Sequence, residues 1–169
     1  MNKLHEWLQF TLFIGCYLLL NYGYFKIPIE MFSNVIYYHG VVQVCANLIN
    51  LIAPLERVIG QQNHLLSAKA DLEIVRGCDG VGVVFLLVSA VIVFPSKLGR
   101  KLMGLALGTG LIYILNLFRV SVLYFIIAYC PEWFLLIHTY VAPVLMVIVA
   151  CLYFAWWAFG SMDKTYEPT

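Results

Sequence analysis

The chain has 169 residues, of which 63% are hydrophobic and only 11% charged. A soluble domain of this size has too much surface for its volume to hide that much apolar area, so a soluble globular fold is excluded. The net charge of +1 supplies no basic field of the kind that nucleic-acid binding needs.

The apolar residues fall in long blocks. A helix needs about 20 such residues to cross the hydrocarbon core of a bilayer. Five candidate spans follow in chain order, at about 7–25, 34–53, 80–95, 102–128 and 134–159. Lys3 followed by an apolar stretch from Trp7 imitates a secretory signal. No small-x-small cleavage site follows Leu20, so residues 7–25 are read as a retained anchor.

The second block carries His39, Gln43, Asn47 and Asn50 at spacings of four, four and three, which is one helix face. Hydrogen bonds between helices explain that face most simply, and a groove lining is the sharper alternative. The substantial polar stretch comes next, from Pro54 to Asp79. Its second part, Asp71 to Arg76, alternates weakly and fits an extended segment leading to Gly77.

Lys97, Arg100 and Lys101 lie between the third and fourth blocks without an acid among them. The positive-inside rule places that loop in the cytoplasm. By alternation, residues 54–79 and the Cys130–Pro131–Glu132–Trp133 turn face outward, and the tail with Asp163 and Lys164 faces inward. Trp133 then sits at the outer interface, and Trp156 and Trp157 at the inner one. Five spans put the N-terminus outside. An even count, with one N-terminal segment re-entrant or lying in the interface, is the alternative. The expected fold is all-α, a multi-pass transmembrane bundle of about five to six membrane segments. It forms a single integral membrane domain over 1–169, with its functional core at about 70–160.

Depth along the helices singles out three residues. Arg119 is about 27 Å above the basic loop at 1.5 Å per residue, and Cys78 is about 25 Å from the inner end of its span. His138 lies four or five residues into the last span, counted from Trp133. Three separate segments therefore bring them to one membrane face. An arginine at the membrane centre costs about 2.5–3.5 kcal/mol on insertion scales, and such residues usually face the bundle interior. Snorkelling to the headgroups is the bland reading. Asn116, three residues earlier, shares the face of Arg119 and favours the interior.

Five cysteines are present and none form a C-x-x-C pair, so neither a disulfide framework nor a zinc ribbon is indicated. Cys16, Cys45 and Cys151 read as small apolar fillers. Cys78 differs, because it stands between Gly77 and Asp79–Gly80 at the head of a helix, a position that favours a thiolate. Asp79 opposes this unless it caps the helix or pairs with Arg76 or Lys69. A metal site built from Cys78, Asp79 and His138 is disfavoured by the cation of Arg119, so no metal or cofactor is expected. Gly104 and Gly108 form a small-xxx-small patch that close helix packing explains.

The ordered set Gly77-Cys78-Asp79-Gly80, Asn116-Leu117-Phe118-Arg119 and Ile137-His138-Thr139-Tyr140 resembles the exosortase/archaeosortase family over about residues 70–160. The chain is similar to the compact, exosortase H-like members. It differs in having Asp79 where many members have Ser or Asn, and in its shortness. The resemblance implies a membrane-embedded cysteine protease or transpeptidase. Its substrates would be exported proteins ending in a sorting signal: a short motif, a transmembrane helix and a basic tail. Cys78 would be the nucleophile, His138 the general acid/base and Arg119 the stabiliser of oxyanion or thiolate, with Asn116 and Asp79 in support. The implied setting is the bacterial cytoplasmic membrane, with the site on its outer face. A non-enzymatic transporter subunit or assembly scaffold is the rival. It accounts for the glycine patch and the polar stripe, but poorly for the shared depth of Cys78, Arg119 and His138.

Overall fold

A computed structural model describes residues 3–28 and 38–162. The protein is mostly helical. Three helices are long and apolar enough to cross a membrane: Glu6–Lys26, Leu98–Tyr129 and Pro131–Gly160. Two further apolar helices, Tyr38–Ile52 and Val81–Val93, are shorter. Val81–Val93 has 13 residues, so it rises about 20 Å against a hydrocarbon core of about 30 Å. Residues 34–37 of the second expected span, and Asp163 and Lys164 of the tail, lie outside the described residues.

The helices are numbered α1 Lys3–Lys26, α2 Gln43–Ile52, α3 Val81–Val93, α4 Leu98–Tyr129, α5 Phe134–Leu136 and α6 Ala142–Met162. Prolines set three of the boundaries. The residue before a proline is pushed out of the helical region by the pyrrolidine ring. Ala53, Phe94 and Cys130, each followed by proline, leave helical geometry and end α2, α3 and α4. Pro143 acts differently, because it stands inside a continuous rod. A wide π turn, Ile137–Val141, joins α5 to α6 just before it. An interior proline offers no N–H and clashes with the carbonyl four residues back, here that of Thr139, and the wide turn relieves that clash.

The all-α expectation needs one correction. The polar segment carries a three-stranded antiparallel sheet in the order β1 Ile59–Gln61, β2 His64–Leu66, β3 Asp71–Glu73. β3 falls within Asp71–Arg76, the stretch whose weak alternation reads as extended, whereas β1 and β2 are too short for alternation to announce them. One face of the sheet buries Leu65 and Leu72 in a cluster with Val42, just before α2, Ile49 of α2 and Leu123 and Tyr124 of α4. Asn50 fastens the sheet to α2: its amide donates to the Val58 carbonyl and its Oδ1 accepts from the Val58 N–H, both at 2.8 Å. Asn50 therefore binds a loop rather than another helix. Gln43 donates to Asn47 at 3.2 Å within the same face.

A second fastening is ionic. Glu56 is buried, and its carboxylate accepts from Lys69 Nζ at 2.8 Å and from the Tyr129 hydroxyl. The Tyr124 hydroxyl lies 3.1 Å from the other carboxylate oxygen and 2.8 Å from Ser67 Oγ. A buried carboxylate is tolerable only when its oxygens are met in this way. Here the partners join the polar segment to the end of α4.

The opposite end of the bundle is closed by glycines. A Cβ at Gly104 would lie 2.4 Å from Trp157 Nε1, and one at Gly108 would lie 2.6 Å from both Leu87 and Tyr153. The glycine patch thus admits aromatic rings, as small-residue packing predicts. Trp157 is correspondingly buried and donates to the Arg100 carbonyl at 3.3 Å, so its ring packs against α4. Trp156 is exposed, as an anchor is. Arg100 and Lys101 belong to the first turn of α4 rather than to a loop.

Lys69 and the hydroxyls hold the Glu56 carboxyl below its usual range. A depressed carboxyl contributes stability that is present above its unfolded value, about 4.3, and is lost as pH falls through the folded value. Glu56→Gln should therefore lower the melting temperature in detergent at neutral pH and flatten its acid dependence. A variant with the parent's acid slope would show that the loss of stability at low pH arises elsewhere.

Candidate active site

Cys78 stands in the turn between β3 and α3. The turn closes with the Cys78 N–H donating to the Val75 carbonyl at 3.0 Å. Two glycines make it possible, Gly77 with φ +96° and Gly80 with φ +73°, values that residues with a Cβ rarely adopt. Gly80 has a further reason to lack a side chain: a Cβ there would lie 3.1 Å from Cγ and Oδ1 of Asn116. Asn116, which is buried, therefore packs directly under the cysteine turn.

Asp79 has a structural assignment. One carboxylate oxygen accepts from the Val81 N–H at 3.2 Å, which caps α3. The other accepts from the Tyr24 hydroxyl of α1. Capping was one of the two roles that would reconcile an acid with a reactive neighbour. The ring of Tyr24 also carries the Arg76 guanidinium, at 5.3 Å from its centroid. No local signal in the sequence ties Tyr24 to Asp79, since 55 residues separate them.

His138 comes from the π turn. Its Nε2 lies 3.2 Å from Cys78 Sγ, within hydrogen-bonding reach. The imidazole stacks on the Phe134 ring with centroids 5.0 Å apart and planes 13° from parallel. Phe134 is four residues before His138, so the partnership was visible as a helical i, i+4 spacing. It fixes the plane in which the imidazole approaches the sulfur.

Arg119 is only 9% exposed, so it does not snorkel. Its positive charge lies near the Cys78 thiol and favours the thiolate. Two buried polar atoms in this region, Arg119 Nε and Asn116 Oδ1, have no hydrogen-bond partner among the described residues. Arg119 also borders a cavity of about 220 Å³, whose lining includes Gly77 and Gly80 from the cysteine turn, Gly82 from the start of α3 and Tyr17 from α1. On its other side a second cleft of about 210 Å³ is walled by apolar residues of α4 and the α5–α6 rod. Unpaired buried donors and acceptors are uncommon in folded proteins and mark places where a polar ligand can be met.

The three residues singled out by depth, and both supporting residues, are thus brought together. His39 is not part of the group; its ring meets Tyr38 edge-on. No family model, curated protein or solved structure matches this chain.

The electrostatics of Cys78 are balanced between opposing causes. Burial pushes the thiol up, the Arg119 charge pulls it down, and the Asp79 charge raises it again. Alkylation of Cys78 by iodoacetamide, with the other cysteines replaced, should therefore rise with pH through a midpoint above the value of about 8.5 for a free thiol. Arg119→Gln removes the charge that favours the thiolate, so the midpoint should move further up and alkylation near pH 8 should slow several-fold. A midpoint left in place would mean that the guanidinium does not act on the sulfur.

Proposed function

We propose that the protein is a membrane-embedded cysteine peptidase or transpeptidase of the exosortase type. It would release the C-terminal sorting signals of exported proteins at the outer face of the bacterial cytoplasmic membrane. The observation that carries this reading is the 3.2 Å approach of His138 Nε2 to Cys78 Sγ beside the buried Arg119. Three separate chain segments contribute one group each. Together they supply a nucleophile, a proton carrier and a fixed positive charge, the parts that acyl transfer needs.

His138 takes the thiol proton as Cys78 Sγ bonds to a substrate carbonyl carbon. The carbonyl π electrons move to oxygen, and Arg119 stabilises that oxyanion. Arg119 does not serve as the base, because a guanidinium stays protonated and has no acceptor to offer. Collapse of the adduct breaks the C–N bond, and His138 returns the proton to the departing amine. A thioester remains on Cys78. Water resolves it to a carboxylic acid, or an amine resolves it to a new amide. The first outcome is proteolysis and the second transpeptidation.

The reading includes a bundle crossed five times with the N-terminus outside. Support comes from α3 and α4, which pack side by side and are joined only by residues 94–97. The basic residues at that junction favour the cytoplasmic side, which supports an outer position for the cysteine turn. A signal helix lying in the bilayer would then present the residues preceding it at the depth of Cys78.

The test is co-expression with a protein ending in a short motif, an apolar helix and a basic tail, with processing followed by gel. The wild-type protein should shorten the substrate. Cys78→Ala should abolish the shortening, and His138→Ala should reduce it by at least about a hundredfold. Unimpaired processing by folded Cys78→Ala would rule out the thiol as nucleophile.

A further inference from the structure

The sheet in the polar segment has an edge that points at this site. Ser67 N–H bonds to the Ala70 carbonyl and Ile74 N–H to the Asn63 carbonyl, flanking the register Leu66↔Asp71, Leu65↔Leu72, His64↔Glu73. In an antiparallel pair the bonded and non-bonded positions alternate. The bonded positions are therefore Asn63–Ile74, Leu65–Leu72 and Ser67–Ala70. Asp71 and Glu73 are the alternate positions, so their N–H and C=O groups point away from β2. No described group pairs with those four main-chain atoms.

We propose that this outer edge of β3 binds the extended stretch of the substrate protein that precedes its membrane helix, adding it as a fourth strand. The proposal rests on the peptidase reading for the identity of the occupant. Its own basis is main-chain geometry. Beyond Glu73 the chain runs through Ile74 and Val75, turns, and presents Cys78. A peptide laid along β3 is thereby led toward the sulfur. Five residues of strand cover at most about 17 Å, so the cut would fall no more than about five residues from the one paired with Glu73.

Charge selects the occupant further. The exposed face at this edge carries Asp71 and Glu73, whose carboxylates meet His64 and Asn63. Pairing with the same edge of a second copy would set carboxylates beside carboxylates, which opposes association between copies. A neutral or basic extended segment meets no such repulsion. Recognition by strand addition also draws its affinity from the main chain, and so tolerates varied sequences.

The test uses the full-length protein in lipid nanodiscs and a synthetic tail. The tail has about ten uncharged, strand-forming polar residues, then an apolar helix of about 20 residues and terminal lysines. With Cys78→Ala, amide exchange read residue by residue should slow by at least about tenfold at Asp71 and Glu73 when the tail is added. The Leu72 amide, already bonded to β2, should be unchanged. Glu73→Pro removes one outward donor and spares the ladder, so it should weaken tail binding. Unchanged exchange at Asp71 and Glu73, or equal slowing along the whole segment, overturns strand addition. The wild-type protein is offered the same tail. Cutting without edge protection would leave the peptidase reading standing and remove this one. Protection without cutting would support edge binding and count against the peptidase reading. Neither effect would overturn edge binding, because main-chain pairing does not depend on a particular motif.

Discussion

The buried guanidinium of Arg119 is the constraint around which this protein is arranged. A permanent cation that is 9% exposed in an apolar helix must be compensated by nearby polar or ionisable groups. Much of the chain is disposed to bring such groups close. Asn116 lies one turn below. The Cys78 thiol is delivered by a glycine-bounded turn, and His138 by a wide helical turn. The same charge that is costly to bury favours the anionic form of a neighbouring sulfur. In the proposed mechanism it also meets the oxygen that becomes negative. The cost of burial and the proposed chemistry have one physical origin.

The turn bearing Cys78 needs support from both sides. On the helix side, Asp79 caps α3 and is held by the Tyr24 hydroxyl, which ties α1 to the turn. On the sheet side, the polar segment is fixed by the Asn50–Val58 pair and by the Glu56 carboxylate network. Both anchors lie in the region that buries Leu65 and Leu72. A turn loses precision when its base is loose, and these contacts make the base of the Cys78 turn part of the packed core. The glycine-to-aromatic packing at Gly104 and Gly108 holds α4 against α6 at the other end. The position of Arg119 is fixed between the two ends.

The sequence made the site more legible than the fold. Helical rise converts residue number into depth, so Arg119, Cys78 and His138 could be placed at one level without knowledge of packing. Asn116 followed from the same periodicity. Capping by Asp79 was visible as an option, whereas its partner Tyr24 was not, because no local rule links residues so far apart. Phe134 and Pro143 carried signals that can be read: an aromatic one turn before the histidine, and a proline inside an apolar run. The alternation of Asp71–Arg76 made the extended chain at β3 legible, but β1, β2 and the pairing were hidden because each strand has three residues and its hydrogen-bonding partners lie across turns. The inward packing of Trp157 was not legible because an aromatic near a helix end fits both an interface belt and a glycine-lined seam. Only the partners Gly104 and Arg100 distinguish them.

The most direct measurement is the mass of the protein after incubation with a processed tail substrate and rapid acid quenching. The account predicts a hydroxylamine-sensitive adduct on Cys78 whose mass equals the acyl fragment of the substrate, with the apolar tail released. Processing that proceeds at full rate with no adduct on Cys78, or with an adduct on another residue, would contradict it.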